Sequence, residues 1–222
     1  MGLLVKLKGK DIKEIDLYLE IAVDTIIEGK TIAFPTDSVY GIGGDPLNYD
    51  LIEKIYQIKF RDRTKGLLIL VADFEEAAKL AEFNKESKIL ADKFWPGQLT
   101  LILKRKKSCI IPEEVTASKD TIGIRVPKNE IILTILKKLR ERGYFGGIIG
   151  TSANYSGENP SVSGDEVVKK FLSPIDLIID NGKSKSKKPT TIVDCTSQKP
   201  NILRLGVITE EDIMDALSLI ES

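Results

Sequence analysis

Short apolar runs alternate with amphipathic segments along this 222-residue chain, and this alternation narrows the folds that it can adopt. Apolar runs typical of strands occur at 67–71, 99–103 and 177–180, whereas 51–58 and 130–142 carry apolar side chains at helical spacing. No internal repeat, linker or low-complexity tract divides the chain. Because strands and helices interleave throughout, we predict one α/β domain over residues 1–222, built on a mixed sheet.

The same patterns place the remaining elements. Further strands are predicted at 3–7, 31–34, 121–127, 147–149, 191–194 and 202–206. Further helices are predicted at 11–28, 165–171 and 210–219, and the segment 73–94 is predicted to form one or two helices. Gly29 and Gly143 directly follow two of the helical segments and are natural stop positions.

Composition excludes several kinds of chemistry. The chain has 33 basic and 33 acidic side chains and no histidine. Without histidine, Ser-His-Asp and Cys-His catalysis, histidine zinc sites and imidazole acid–base chemistry are all excluded. Cys109 and Cys195 match no metal-ligand spacing, so we predict two buried, reduced thiols, with a disulfide as the alternative in a disulfide-tolerant source.

The hydropathy pattern gives no indication of a membrane protein. Every apolar run is far shorter than the roughly 20 residues that a membrane-spanning helix needs. The first residues pass directly into alternating charge, without the apolar stretch of a signal peptide. We therefore predict a cytoplasmic protein with no membrane partner.

Two predicted strands end in loops of small and polar residues. The strand 31–34 leads into the segment 35–44, which has proline, hydroxyls and three glycines, and the strand 147–149 leads into 150–157, GTSANYSG. Ligands of α/β proteins often bind beyond the carboxyl ends of strands, where small residues allow close approach. The second loop alone fits a solvated turn equally well. The first lacks the Gly-Lys-Ser/Thr ending of a Walker loop, which excludes that kind of phosphate cradle.

Basic side chains form three clusters although the net charge is zero. They lie at 59–65, 104–107 and 183–188, and all three are predicted to be in loops. The first contains Lys59, Arg61, Arg63 and Lys65 between a helix and a strand, and guanidinium groups match phosphate oxygens well. A phosphate site is therefore favoured there over an exposed linker. The second cluster is interpreted as a solvated turn.

Arg125 lies within an apolar, strand-like run. A charge in such surroundings needs a partner, because its burial is otherwise very unfavourable. Either an internal carboxylate or an anionic ligand should therefore contact Arg125.

Seven motifs, taken in order, resemble the YrdC-like threonylcarbamoyl-AMP synthase family. They are FPTDSVYG (34–41), K-x-R (59–61), WPG-x-LT (95–100), GIRVP (123–127), TSAN-x-SG (151–157), PTTIVD (189–194) and LR-x-G (203–206). Each is weak alone, but their order over about residues 29–217 makes the combination specific. The chain has Gly66 and Leu205 where proline is common in the family, and Thr190 in place of a serine.

The resemblance implies an open, twisted sheet with a basic concave cavity. It also implies condensation of L-threonine, bicarbonate or CO₂, and ATP into threonylcarbamoyl-AMP, with release of pyrophosphate. A partner complex would then transfer the threonylcarbamoyl group to the tRNA adenosine next to the anticodon. Longer members of the family add a C-terminal domain, so the resemblance predicts either a short form of the enzyme or a fragment.

The resemblance also assigns residues. Lys59 and Arg61 are the predicted catalytic residues. ATP is predicted to bind to Lys59, Arg61, Arg63, Ser152, Asn154, Ser161 and Arg204. L-threonine is predicted to bind to Thr36, Arg125 and Thr190, with Tyr40 either as a wall of that pocket or as a core residue. Mg²⁺ is expected to arrive with ATP rather than in a protein-built metal site. The base that deprotonates threonine stays open among bicarbonate, a phosphate oxygen and Asp37.

Two rival functions are weighed against this one. The first is a module that binds tRNA or double-stranded RNA in the basic cavity, which zero net charge and 6% aromatic residues disfavour. The second is a carbamoyl-adenylate-forming domain of the kind used in hydrogenase maturation, although no zinc-binding or acylphosphatase segment accompanies it here.

Overall fold

Two mixed β-sheets and the helices around them form the fold, here a computed structural model that describes residues 2–9, 11, 13 and 15–218. In chain order the elements are β1 (Leu3–Lys6), α1 (Asp16–Ile27), β2 (Ile32–Phe34), β3 (Gly41–Gly43), α2 (Tyr49–Lys59), β4 (Ile69–Val71), α3 (Phe74–Leu80), β5 (Ala81–Glu82), α4 (Lys85–Phe94), β6 (Leu99–Arg105), α5 (Glu113–Thr116), β7 (Thr121–Arg125), α6 (Glu130–Glu141), β8 (Gly147–Ile149), β9 (Thr151–Ser152), α7 (Gly164–Lys170), β10 (Leu177–Asp180), β11 (Thr191–Asp194), β12 (Asn201–Arg204) and α8 (Glu210–Ser218). The predicted α/β class, with mixed pairing and flanking helices, is confirmed.

The strands divide between two open sheets, where one sheet was predicted. The five-stranded sheet has the order β1-β10-β2-β3-β9, and the seven-stranded sheet has the order β12-β11-β6-β7-β4-β8 with β5 paired to β6. Each contains parallel and antiparallel pairs, for example β1 with β10 and β2 with β3 in the first. Periodicity identifies strands but not their partners, which is why the division was not predicted.

The two sheets meet where β8 is followed by β9. Gly150 alone separates these strands, so the chain passes from the seven-stranded to the five-stranded sheet within one residue. A Cβ at this position would lie 2.3 Å from the side chain of Leu70, so only glycine fits. The joint is fixed by two backbone hydrogen bonds, Ile149 N to Gly44 O and Gly150 N to Leu68 O, both 2.9 Å long. It brings the two predicted strand-end loops together.

Several element boundaries differ from the predictions. The helix predicted at 11–28 begins only at Asp16, and residues 12, 14 and 219 of predicted helices lie outside the described residues. The segment 73–94 forms two helices, because Asn84 caps α4 by accepting a hydrogen bond from Ser87 N while β5 pairs with β6. The helix predicted at 51–58 runs from Tyr49 to Lys59, so Lys59 is helical rather than in a loop.

The second basic cluster, 104–107, begins within a strand, whereas a solvated turn was predicted. Lys104 and Arg105 lie within β6 rather than in a solvated turn. Arg105 donates hydrogen bonds to Thr116 Oγ1, at 3.0 Å, and to Ile111 O. Its role is therefore structural, holding α5 against the end of β6.

The core forms where amphipathic helices cover the sheets. Helix α6 buries the predicted apolar face, which consists of Ile131, Ile132, Ile135, Leu136 and Leu139, in the same cluster as Leu19 and Val23 of α1. Full burial of one such side chain stabilises the fold by about 1.5–3 kcal/mol. Among the described helices, none has both the length and the apolar character needed to cross a membrane.

Both cysteines are free thiols. Cys195 is buried, as predicted, and burial raises its pKa to about 12, whereas Cys109 is only partly buried. Cys195 is therefore not arranged as a reactive thiolate.

Candidate active site

A cavity of about 730 Å³ opens beside the joint between the two sheets. Residues of both predicted strand-end loops contribute to it, together with the ends of β7 and β12. Its polar and charged lining consists of Thr36, Ser38, Tyr40, Arg61, Lys65, Arg125, Thr151, Ser152, Thr190 and Arg204. Apolar residues such as Leu68, Ile102 and Leu203 complete the wall. The fold therefore brings most of the predicted site residues to one place.

Arg125 forms a fixed, neutralised corner of the cavity. Its side chain is 4% exposed, and Nη2 lies 2.5 Å from Asp37 Oδ1. Nε donates to Gly97 O at 2.9 Å and Nη1 donates to Ser38 Oγ at 3.2 Å. Burial lowers the pKa of Arg125, and the neighbouring Asp37 opposes this effect. Of the two partners that the sequence left open for Arg125, the structure contains the internal carboxylate.

Asp37 is itself held from several directions. Its Oδ1 also accepts a hydrogen bond from Lys128 N at 3.0 Å, and its backbone oxygen accepts one from Gln98 Nε2. Next to it, Thr36 Oγ1 lies 3.0 Å from Ser38 Oγ and donates to Val39 O at 2.6 Å. Loop 35–40 is therefore a rigid hydrogen-bonded wall. Ser38 was not predicted as a site residue, although its position two residues after Thr36 in the same motif was an available signal.

Arg204 and Thr190 form the opposite corner. Arg204 Nε and Nη2 donate to Thr190 O at 3.1 and 2.9 Å, and Nη2 also lies 3.1 Å from Thr190 Oγ1. Thr190 Oγ1 is 3.0 Å from Thr100 Oγ1 on β6. Burial and the nearby Arg61 both lower the pKa of Arg204. Neutral oxygens alone therefore fix this guanidinium.

Arg61 lies where α2 has ended and is anchored by backbone oxygens. Its Nε donates to Lys65 O and its Nη2 donates to Gly66 O, both at 2.8 Å. Burial lowers its pKa. A Cβ on Gly66 would lie 2.0 Å from Thr116 O, so the path of this loop requires glycine.

Lys59 is the last residue of α2 and is 1% exposed. Its Nζ donates to Ser152 O at 2.5 Å and to Asn154 O at 2.6 Å, and its own backbone oxygen accepts from Ser156 N at 3.0 Å. Burial, followed by the positive charges of Arg61 and Lys170, lowers its pKa to about 7. The prediction of a loop lysine is corrected to a buried one that ties α2 to the loop after β9.

The cations of this region lack counter-charges, apart from Arg125. None of the ion pairs among the described residues includes Lys59, Arg61 or Arg204. The charge of Arg61 lowers the pKa of both Lys59 and Arg204. Like charges in a partly buried site repel strongly, and an anion between them would remove that repulsion. The arrangement therefore favours a polyanionic ligand.

Four predicted ATP residues do not line the cavity, namely the buried Lys59 and three others. Arg63 is exposed and forms a bidentate pair with Glu53 on α2. Asn154 and Ser161 are buried behind Ala153, whose backbone oxygen accepts from Ser161 N at 2.9 Å. Asn154 Nδ2 donates to Tyr155 O and Glu158 O, while Asn154 Oδ1 and Ser161 Oγ have no hydrogen-bond partner in the described structure.

Tyr40 combines the two roles that the sequence left open. It belongs to a core cluster with Ile42 and Ile178, and it also lines the cavity. Its hydroxyl lies 2.8 Å from Asp180 Oδ1 and 2.7 Å from Gly182 O, and accepts from Asn181 N at 3.1 Å. Burial raises the pKa of Tyr40, so the phenol is neutral and serves as a packed wall.

The described residues contain no group of three or more His, Cys, Asp or Glu side chains arranged to hold a metal ion. No carboxylate is among the described residues that line the cavity, and Asp37, which lies next to the wall, is already engaged by Arg125. These side chains therefore do not fit a metal site built by the protein itself.

Comparison with known proteins gives one family. A family model with the description "Telomere recombination", covering Sua5, YciO and YrdC, matches residues 24–206. The chain is 38% identical over 196 residues to the threonylcarbamoyl-AMP synthase of Pyrococcus abyssi, which covers 88% of this chain and 56% of the relative. A Methanocaldococcus jannaschii protein, provisionally given the same name, is 39% identical over 211 residues, 91% of this chain and 95% of the relative.

A solved structure of a protein from P. abyssi is similar to this chain in both fold and sequence. The structure of P. abyssi Sua5 in complex with L-threonine superposes with a TM-score of 0.87 at 33% identity, covering 97% of this chain and 61% of that one. The chain thus spans 56% of the length of the P. abyssi synthase that it matches.

Proposed function

Because this chain belongs to the Sua5/YciO/YrdC family, we propose that it is an L-threonylcarbamoyl-AMP synthase, which condenses L-threonine, bicarbonate or CO₂, and ATP. One observation carries the proposal: a single cavity joins a fixed arginine, suited to a carboxylate, to a group of cations suited to phosphates. An amino acid and a nucleotide are the two ligands that this division fits.

Threonine occupies the Arg125 corner in this proposal. An arginine has five N–H donors, and three of those of Arg125 are used by Gly97 O, Ser38 Oγ and Asp37, so two are left for a substrate carboxylate. Thr36 and Thr190 supply hydroxyls, and Tyr40 supplies a wall. The similar P. abyssi Sua5 forms a complex with L-threonine, which supports threonine as a ligand of this chain.

ATP occupies the cationic half. Arg61, Arg204 and Ser152 line the cavity there, and Lys59 lies directly behind Ser152. Asn154 Oδ1 and Ser161 Oγ are unpartnered but buried outside the cavity lining, so they would reach the adenosine only if their loop moved. Arg63 would join the phosphates only by leaving Glu53. We assign Lys59 and Arg61 the catalytic role of stabilising negative charge on the phosphate oxygens.

The chemistry requires positioning and charge stabilisation more than acid–base groups. Threonine nitrogen bonds to the carbon of bicarbonate with loss of water, or to that of CO₂ with loss of a proton, and forms a carbamate. A carbamate oxygen then bonds to the α-phosphorus of ATP as the bond from that phosphorus to pyrophosphate breaks. Preorganised cations stabilise the charge on the transferred phosphoryl group. Asp37 Oδ1 is engaged by Arg125 and Lys128 N, which favours bicarbonate or a phosphate oxygen as the base. Mg²⁺ would enter bound to the ATP phosphates.

The product would serve tRNA modification in the cytoplasm. A threonylcarbamoyl-transferring complex would pass the group to the adenosine next to the anticodon. RNA binding without chemistry is the competing function, and it predicts affinity that falls steeply with salt.

The test is a product assay with ATP labelled at the α-phosphate, magnesium and bicarbonate, with and without L-threonine. A new adenylate that requires both threonine and bicarbonate is expected. Lys59→Met should abolish it, whereas Lys137→Met, on the exposed side of α6, should not. If no such adenylate forms and tRNA binds with a steep salt dependence, the synthase proposal is wrong and RNA binding replaces it.

A further inference from the structure

Phe60 has an unusual backbone conformation at the end of α2. Its φ and ψ are 47° and 43°, the left-handed region, in which bulky residues are rare and glycine is the usual choice. The side chain is nevertheless 76% exposed, so packing in the core does not explain it. Such an outlier at the edge of a binding site is a reason to look for function.

The ring of Phe60 belongs to an aromatic series that ends at the surface. Its centroid lies 5.5 Å from that of Tyr155, and Tyr155 lies 5.1 Å from Phe171. Phe171 is 9% exposed, and the Tyr155 hydroxyl accepts from Leu172 N at 2.9 Å. Phe60 and Tyr155, here called the aromatic ledge, are therefore supported from behind, and Phe60 is the outward-facing member.

The ledge adjoins the cationic half of the cavity along the chain, although neither of its rings is among the residues that line the cavity. Phe60 stands between Lys59 and Arg61, two cations without a carboxylate partner, and Arg61 lines the cavity. The residue before Tyr155 is Asn154, 8% exposed, whose Oδ1 has no hydrogen-bond partner in the described structure. This oxygen can only accept, so a phosphate cannot satisfy it, whereas an amino or hydroxyl group can.

These features together match the chemistry of a nucleotide. A nucleobase has a flat π face for an aromatic ring, its nucleotide carries hydrogen-bond donors, and its phosphates require cations. A protein partner seated on the ledge would have to approach the unneutralised Arg61, whereas the phosphates of a nucleotide would neutralise that charge. The charge therefore favours the nucleotide.

We propose that Phe60 is the stacking platform for the nucleobase of the bound nucleotide, with Tyr155 as its support. The proposal rests on the proposed function only in taking the cavity as a nucleotide site. The base is either the adenine of ATP or a base of RNA, since both present the same face to the ring.

The test compares Phe60→Leu, which keeps apolar bulk, with Phe60→Gly, which also relieves the left-handed backbone. Dissociation constants are measured for ATP, for inorganic tripolyphosphate, which has no base, and for a single-stranded oligoadenylate. Both variants should bind ATP about tenfold more weakly, the effect of losing one base–aromatic stack, with unchanged affinity for tripolyphosphate. Tyr144→Ala, at an exposed aromatic residue after α6, is the control and should change none of the three dissociation constants.

The melting temperature of Phe60→Gly should be at least that of the unmodified chain, which separates lost stacking from misfolding. A weakening confined to oligoadenylate would keep the platform and assign the base to RNA. Unchanged affinity for both ATP and oligoadenylate would overturn the proposal, even where the unmodified chain forms threonylcarbamoyl-AMP. Conversely, a further outcome is that the Phe60 variants bind ATP more weakly while the unmodified chain forms no threonylcarbamoyl-AMP. That result would contradict the synthase function and support the stacking role of Phe60.

Discussion

Arg125 and Lys59 are two buried cations of the same site with opposite surroundings. They are 4% and 1% exposed, respectively. Arg125 contacts the Asp37 carboxylate, whereas Lys59 contacts only the backbone oxygens of Ser152 and Asn154. One cation is neutralised within the protein, and the other is left for a ligand to neutralise.

This difference separates two ways of binding an anion. Asp37 keeps Arg125 charged and in a fixed orientation, so the arginine can select a carboxylate by geometry. Lys59 has a pKa lowered to about 7, and in the proposed function an incoming phosphate would stabilise its charge. The Arg125–Asp37 pair therefore fixes the orientation of a positive group, whereas the charge of Lys59 would respond to the binding of an anion.

The largest effect is expected from removing Asp37, the carboxylate partner of Arg125. Asp37→Ala leaves Arg125 charged and unpartnered in a buried site and should lower the free energy of unfolding by about 3–5 kcal/mol. Urea denaturation at pH 7 measures this loss. The double variant Asp37→Ala with Arg125→Met should recover most of it, because no buried charge is left. A loss below about 1 kcal/mol in Asp37→Ala would mean that the pair contributes no more than a surface ion pair.

Lys59, the buried cation without a carboxylate partner, should matter more for ATP binding than for stability. Lys59→Met removes a charge that burial disfavours, so the free energy of unfolding at pH 6 should not fall. The affinity for ATP should fall by about 1.5–3 kcal/mol, or roughly 10–100-fold, the contribution of a charged hydrogen bond. Calorimetric titration with ATP measures this loss. Lys137→Met is the matched control, and equal affinities in the two variants would remove Lys59 from the site.

The sequence predicts which segments form helices and strands better than it predicts how the strands pair. The apolar face of α6 follows directly from Ile131, Ile135 and Leu139 at helical spacing, and it is buried as predicted. The two sheets could not be predicted, because strands such as Thr151–Ser152 are too short for periodicity. Gly150, which joins them, looks like any loop glycine until Leu70 is found packed against it.

For the candidate site, residue types were more predictable than their surroundings. The buried position of Arg125 follows from its apolar neighbours, but the choice of Asp37 as its partner depends on contact between β7 and loop 35–40. The sequence placed Lys59 in a loop, since a lysine within the basic cluster 59–65 gives no local sign of burial. Its burial arises from the approach of the loop after β9.

The lowered pKa of Lys59 also predicts how stability depends on pH. Its ordinary value is 10.5 and its value in the fold is about 7, so between these limits the unfolded chain binds more protons than the folded one. Stability should therefore rise with pH in this window, by about 1 kcal/mol between pH 7 and pH 8. The difference in unfolding free energy between the unmodified chain and Lys59→Met isolates this effect from other groups. A difference that does not change with pH would show that Lys59 keeps its ordinary pKa.

The smallest effect is expected at Thr190, where neutral groups fix a third cation, Arg204. Thr190→Ser keeps the hydroxyl near Thr100 and Arg204, so the KM for threonine should change by less than about twofold. Thr190→Val removes that acceptor from Arg204 Nη2 and should raise the KM by about fivefold, or roughly 1 kcal/mol. Kinetics of threonylcarbamoyl-AMP formation measure both constants. If Thr190→Val and Thr190→Ser have the same KM for threonine, the backbone oxygen of Thr190 is enough to position Arg204. The side-chain hydroxyl of Thr190 would then contribute nothing to this cation, which lacks a carboxylate partner.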